Sequence, residues 1–311
     1  MERLIVVIGP TAVGKTKLSI DLAQRLGSEI ISGDSMLVYR GMDIGTAKPD
    51  MLERSGVVHH MIDILDPCQE FNVVDFQHHA RKLITQINNR GLIPILAGGT
   101  GLYVRALLEG YQFSPAPSDE TIRQKLTGMA EQYGNQFLHN MLAQVQPETA
   151  ARLHPNDLRR IIRALEVYYL SGETVSQDKT ATNELLYDAA VIGLNLNRAS
   201  LYARINQRVD IMLEQGLVDE VSKLLKQGVP PDCQAMHGIG YKEIVEYLNE
   251  GKDLFTVIEN VKQATRNFAK RQLTFFRRMP YITWFNIDDF DNYDKLLEAI
   301  YNHVAGKFCL R

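Results

Sequence analysis

Gly9-Pro10-Thr11-Ala12-Val13-Gly14-Lys15-Thr16 follows the apolar run Leu4-Ile5-Val6-Val7-Ile8 and leads into the helix-like stretch 17–26. A G-x-x-x-x-G-K-T pattern therefore sits on a strand-to-helix turn, the setting a phosphate-binding loop requires. Successive backbone N–H groups curl around an anion there, the helix N-terminus adds partial positive charge, and Lys15 adds a full one. A phosphate or diphosphate is expected in this loop. Whether it is cleaved, transferred or lost as a leaving group is not written in the loop itself.

Outward from the loop, the chain alternates strand-like and helix-like segments, as a parallel sheet requires. Residues 28–35 form an apolar strand closed by Asp34. In an open parallel sheet the strand C-termini face the ligand crevice, which puts Asp34 beside the loop; the alternative is that Asp34 caps a following helix. The stretch 39–49 is too glycine-punctuated for a regular element and reads as a functional loop or a solvated connector. His59 and His60 are adjacent, so on one strand they point to opposite faces, which disfavours a shared metal. A helix is expected over about 74–89, then a strand over 92–97 that runs into Gly98-Gly99-Thr100-Gly101, a second glycine-rich strand exit that brings Thr100 to the same crevice.

From about Ser114 to Asp188 the pattern changes to helices alone. Pro115-Ala116-Pro117-Ser118 marks the boundary, with Ser118 the expected N-cap of a helix carrying Arg123. Helices follow near 135–145 and 158–170, the latter capped by Asn156 or Asp157 and presenting Arg159, Arg160 and Arg163 on neighbouring turns. Such guanidinium groups match phosphates, though a merely solvated basic face has the same pattern. Strand-like 189–194 resumes the sheet. The expected organisation is a P-loop NTPase-like parallel α/β core, an inserted all-helical lobe and a helical C-terminal region, with boundaries at 1–114, 115–188 and 189–311.

Beyond that strand, a helix over 201–215 carries Arg204 and Arg208 on one face, and helices are expected to fill the remainder. The longest, from Asp253 to about Met279, holds Lys262, Arg266, Lys270, Arg271, Arg277 and Arg278 with no acid between Lys262 and Arg278. Lys262, Arg266 and Lys270 recur at intervals of four, and Phe268, Phe275 and Phe276 lie between the charges, the pattern of a nucleic-acid backbone footprint. The tract Asp288-Asp289-Phe290-Asp291 lacks the D-D-x-x-D spacing of a prenyl-diphosphate metal site and reads as a solvated loop.

The 311 residues suffice for one large α/β domain and a smaller lobe. No stretch approaches the roughly 18–20 apolar residues of a membrane span, and the opening run is too short for a signal segment; a soluble, cytoplasmic protein with no membrane partner is expected. Cys68, Cys233 and Cys309 are far apart, so neither a disulfide framework nor a zinc site follows. A net charge of −3 gives no global case for nucleic acid, which must rest on the local clusters.

Together these segments resemble the bacterial tRNA dimethylallyltransferases over nearly the whole chain. The resemblance rests on the loop at 9–16, on Asp34-Ser35 with the stretch 39–49, on 97–103, and on His154-Pro155-Asn156-Asp157. Gly238-Ile239-Gly240-Tyr241 and Lys270-Arg271-Gln272 add to it. It implies that dimethylallyl diphosphate occupies the loop, held by Lys15, Thr16, Mg²⁺ and Arg208, with Thr16 the metal ligand. It implies that Asp34 is the general base toward the exocyclic amine of adenosine 37, that Thr100 positions amine and base, and that Lys15 assists the leaving diphosphate. It carries tRNA contacts onto Asp34, Ser35, Met36, Leu37, Thr100, Arg123, Arg159, Arg160, Arg163, His237, Gly238, Gly240, Tyr241, Lys242, Lys270, Arg271, Gln272 and Arg277. The partner is then the anticodon stem-loop, gripped by the helical lobe, and the protein a monomer.

Other readings of the same loop are a small-molecule kinase using ATP, an enzyme that prenylates free adenine nucleotides, and a non-catalytic RNA-binding phosphate sensor. The arginines of the lobe and the basic helix have no work in a kinase or with a small acceptor, and Asp34 beside Thr100 disfavours a sensor.

Overall fold

The computed structural model describes residues 1–113, 119–172 and 185–310, and it divides into two compact units, Met1–Gly110 with Glu184–Arg311, and Tyr111–Asn183. The first is built on six parallel strands: β1 (Arg3–Ile8), β2 (Ile30–Ser32), β3 (His59–His60), β4 (Ile95–Gly98), β5 (Asp188–Asn195) and β6 (Thr283–Asn286), in the order β3-β2-β4-β1-β5-β6. β1 lies at the centre, with Ile5 opposite Ile95 of β4 and Ala190 of β5. A parallel strand covered on both faces must be apolar on both, and β1 is: Leu4, Val6 and Ile8 join one buried cluster while Ile5 and Val7 join the other.

Helices α1 (Lys15–Leu26), α2 (Val73–Asn89) and α3 (Gly101–Leu108) alternate with the early strands. α2 has a reciprocal cap in which Asn72 accepts from Val74 N and Asp75 N while Asp75 accepts from Asn72 N. The second unit holds α4 (Glu120–Tyr133), α5 (Asn135–Val145), α6 (Pro147–Arg152) and α7 (Leu158–Ser171) around its own core of Leu126, Leu138, Leu142, Ile161 and Leu165. Residues 114–118, including Ser118, lie outside the described residues; the N-cap of α4 is Asp119, which accepts from Thr121 N at 2.8 Å and Ile122 N at 3.1 Å. Asp157 occupies the N-cap of α7 without a capping side-chain bond and instead pairs with Arg160 at 3.1 Å.

After β5 come α8 (Arg198–Glu214), α9 (Leu217–Lys226), α10 (Tyr241–Glu250), α11 (Leu254–Phe276) and α12 (Tyr293–Phe308). Two expectations for this region are corrected. The remainder is not all helical, because 283–286 forms β6 against β5, with Gly193 opposite Trp284. The acidic tract is not merely solvated: Asp288 accepts from Asn197 N and Asn197 Nδ2, both at 2.7 Å, tying the start of α8 to the end of β6.

Candidate active site

The site is at the carboxyl ends of β1, β2 and β4, where the strand order reverses about the centre of the sheet. The 9–14 loop, Gly33-Asp34 and Gly99-Thr100 leave these three strands side by side. They can come so close because Gly98 lacks a side chain: a Cβ there would lie 2.4 Å from the Gly33 carbonyl oxygen. The resulting cleft has a volume of about 120 Å³ and is lined in part by Thr11, Lys15, Thr16, Ser32, Asp34 and Arg208. Leu37, Ala47, Pro49, Ile62 and Ala97 form its apolar wall.

Two cationic side chains and one carboxylate, each partly buried, thus meet in one cleft. Lys15 donates to the Pro10 carbonyl at 2.8 Å, and burial, followed by the nearby Arg208, brings its ammonium down to about 7, against an opposing pull from Asp34. Burial likewise lowers Arg208, which Asp34 and Glu53 support. Both cations are held where being charged is unfavourable without an anion, and the cleft is therefore prepared for one of high charge.

Asp34 does not cap a helix. Its Oδ1 accepts from Met36 N at 2.8 Å, closing a turn that keeps the carboxylate in the cleft. Thr100 stands at the N-cap of α3, where its Oγ1 accepts from Ser35 N at 3.2 Å. It therefore orders the 34–37 turn, and its link to the base runs through Ser35. Thr16, at the start of α1, shares the cleft with Ser32 and Asp34; these are the hard oxygen donors Mg²⁺ takes, few enough to leave room for phosphate oxygens and water, so the residues present fit the ion.

Of the positions expected to meet RNA, Gln272 and Tyr241 are turned inward. Gln272, 6% exposed, donates to the Gly99 carbonyl at 2.9 Å and accepts from Thr11 N at 2.8 Å, stitching the phosphate loop to the β4 exit. Tyr241, 1% exposed, donates to Glu220. Gly240 is buried beside it, and Gly238 packs on Met36, whereas His237 and Lys242 are exposed.

The basic face of α11 is shorter than its sequence suggests. Lys262 is paired with Asp210 at 2.8 Å and Glu259 at 3.1 Å, and Arg266 donates to Asn206 at 2.6 Å, so both are spent in packing α11 on α8. Lys270, Arg271, Arg277 and Arg278 are exposed. Lys270, Arg271 and Arg278 border a shallow concavity of about 360 Å³ with Asn267, Thr274 and Phe275. In the second unit, Arg123 and Arg163 converge on the buried Glu166 at 2.9 and 2.7 Å, and the Asp119 N–H completes that carboxylate's shell at 2.8 Å. Arg159 and Arg160 are exposed.

His59 lines the cleft and His60 does not: Nδ1 of His59 faces the Val57 carbonyl at 2.9 Å, and Nε2 of His60 faces Glu29 at 2.8 Å. Sequence reasoning gave no sign of Ser32, Ile62 or Phe268 as lining residues, nor of the stitch made by Gln272. Their contacts link segments far apart in the chain, and no local spacing encodes them.

The family model described as IPP transferase matches residues 37–279. A curated tRNA dimethylallyltransferase of Geobacillus thermodenitrificans (strain NG80-2) is 50% identical over 310 residues, covering 99% of this chain and 98% of the relative. That of Bacillus subtilis (strain 168) is 48% identical over 307 residues, with 98% of each covered. Among solved structures, the full-length tRNA isopentenylpyrophosphate transferase from Bacillus halodurans matches with a TM-score of 0.75 and 47% identity, over 99% of this chain and 97% of that one. A eukaryotic dimethylallyltransferase acting on tRNA matches with a TM-score of 0.77 and 29% identity, over 98% of this chain and 80% of that one.

Proposed function

The chain belongs to the IPP transferase family, and we infer that its work is the transfer of a dimethylallyl group from a diphosphate donor to tRNA. It is a prenyltransferase. The reading is carried by one observation above the others: Lys15, Arg208 and Asp34 share a cleft with an apolar wall segment made by Leu37, Ala47, Pro49, Ile62 and Ala97. A leaving diphosphate needs the two cations, a hydrocarbon needs the wall, and an amine nucleophile needs the carboxylate.

The donor's diphosphate lies in the 9–16 loop against the backbone N–H groups, Lys15 and Arg208. As the allylic C–O bond breaks, the electron pair passes to the diphosphate oxygen, where these groups offset the growing charge. The acceptor is the exocyclic amine of adenosine 37, beside the anticodon. Its lone pair is delocalised into the ring, so attack on the allylic carbon is assisted by removal of a proton, which Asp34 accepts as the N–C bond forms. Thr100 and Ser35 hold the turn that aims that carboxylate. Mg²⁺ held through Thr16 would supply further charge neutralisation on the diphosphate. For a base in a stacked loop to reach the cleft, it must swing out of its stack. In the first unit the exposed Lys242, Lys270, Arg271, Arg277 and Arg278 bind phosphates of the anticodon stem-loop; in the second unit Arg159 and Arg160 are the exposed cations offered to tRNA; a monomer suffices.

Incubation of the purified protein with radiolabelled dimethylallyl diphosphate, Mg²⁺ and either unmodified tRNA or AMP tests the reading. Label on tRNA, at adenosine 37 after nuclease digestion, is expected. Label on AMP alone, or ATP turnover without labelling, overturns it.

A further inference from the structure

The loop 39–49 forms part of the cleft wall through Thr46, Ala47 and Pro49, yet it has no regular secondary structure to hold it there. Its anchor is the side chain of Glu220 on α9. One carboxylate oxygen accepts from Asp43 N at 2.9 Å and Ile44 N at 2.8 Å; the other accepts from Gly45 N at 3.1 Å and from the Tyr241 hydroxyl at 2.6 Å. Three successive N–H groups curled on an oxyanion form the arrangement that elsewhere receives a phosphate, filled here by the protein's own carboxylate. Burial, and then the Glu220 charge, raise the Tyr241 phenol above its usual range, so it stays a donor.

The anchoring is tighter than a surface connector needs. Tyr241 packs under Gly45 so closely that a Cβ there would lie 2.5 Å from the ring. From the other side Lys48, its side chain 4% exposed, donates to the Tyr39 carbonyl at 2.7 Å and to Asp43 and Asp63 at 2.6 and 2.5 Å. Between the two anchors Ala47 has φ +49°, the left-handed region that an L residue adopts only when its surroundings enforce it. The cleft wall at Ala47 is thus made by a single methyl group on a backbone held at 43–45 and at Lys48.

We propose that Glu220 is a positioning residue for the donor, holding Thr46 and Ala47 as a rigid wall that limits the length of hydrocarbon the cleft accepts. The proposal rests on the prenyl-donor reading above. Glu220 touches neither substrate; it acts through the 43–45 backbone.

The test is Glu220→Gln, which keeps the side chain's shape but turns one acceptor oxygen into an NH₂ group facing donors. Initial rates are measured with dimethylallyl diphosphate and with geranyl diphosphate, tRNA being the acceptor. The expected result is a KM for dimethylallyl diphosphate raised about tenfold, kcat changed less, and the geranyl-to-dimethylallyl ratio of kcat/KM raised about tenfold, the scale of discrimination a pocket wall gives. The KM for tRNA stays as in the wild type. An unchanged donor KM and ratio overturns the proposal, as does a loss shared equally by both donors and tRNA. If Glu220→Gln does not fold, Tyr241→Phe removes one of the four bonds and keeps the ring under Gly45; the same shifts, smaller, are expected, and their absence refutes the anchor. A wild-type chain that transfers neither group refutes the donor reading and takes the proposal with it.

Discussion

Lys15 and Arg208 in the cleft, and Lys270 and Arg271 on α11 with Arg277 and Arg278 just past its end, carry the same charge in opposite surroundings. The first pair is half-buried and shifted by burial; the second group is exposed. A buried cation acts strongly at short range on one anion and is little affected by salt, whereas exposed cations act weakly, additively and through a screened field. The difference separates the chemical step, which needs a few placed charges, from the grip on a polyanion, which needs many that can adapt to it. α11 itself contains the boundary, since Gln272 closes the cleft while its neighbours Lys270 and Arg271 face water.

The sharpest way to break this comparison is at the carboxylate. Asp34→Ala is expected to lower the single-turnover rate by about two to four orders of magnitude, with tRNA affinity nearly unchanged. A variant that instead loses tRNA affinity at an intact rate would move Asp34 to the RNA side of the division.

Lys15→Ala comes next, with an expected weakening of dimethylallyl diphosphate binding on the order of a hundredfold, because it leaves the diphosphate in a partly buried cleft with one cation fewer. Calorimetric titration at two salt concentrations checks it; the loss should be similar at both, as befits a buried charge.

Replacing Lys270 and Arg271 together by Ala is expected to weaken tRNA binding about tenfold and to lower the slope of log K against log salt by about 1.5 to 2, leaving donor affinity as it was. Filter binding over a salt series measures this, and an unchanged slope would remove α11 from the RNA footprint.

The smallest effect concerns protons. In the free protein Lys15 loses its charge as pH passes about 7, and a bound diphosphate raises that value by favouring the charged form. Donor binding should therefore take up protons above pH 7, and affinity should fall a few-fold between about pH 7 and 8. Titration in two buffers of different ionisation heat detects the uptake. Its persistence in Lys15→Ala would assign the proton to another group.

The local code proved most readable where one element decides the outcome. The P-loop, the α/β alternation, the second glycine-rich exit at Gly98-Gly99 and the helices at 135–145 and 158–171 all depend on periodicity and turn chemistry within about twenty residues. Asp34 was legible because a strand's end in a parallel sheet has only one place to be. The stripe of Lys262, Arg266 and Lys270 shows the limit. Helical spacing correctly puts the three on one side of α11, but it carries no information about α8, whose Asp210 and Asn206 occupy the first two.

By itself, then, the sequence determined the phosphate loop, the parallel core around it and, through its resemblance to a family, the chemistry to look for. Only the tertiary structure decided which of the basic residues of 262–278 are exposed, that Gln272 ties the phosphate loop to the β4 exit, and that Glu220 holds the 43–45 backbone. The physical reason is range. Strand and helix signals arise from neighbours along the chain, but a hydrogen bond from Gln272 to Gly99 or from Gly45 to Glu220 spans more than 170 positions, and it exists only once the sheet has brought those segments together.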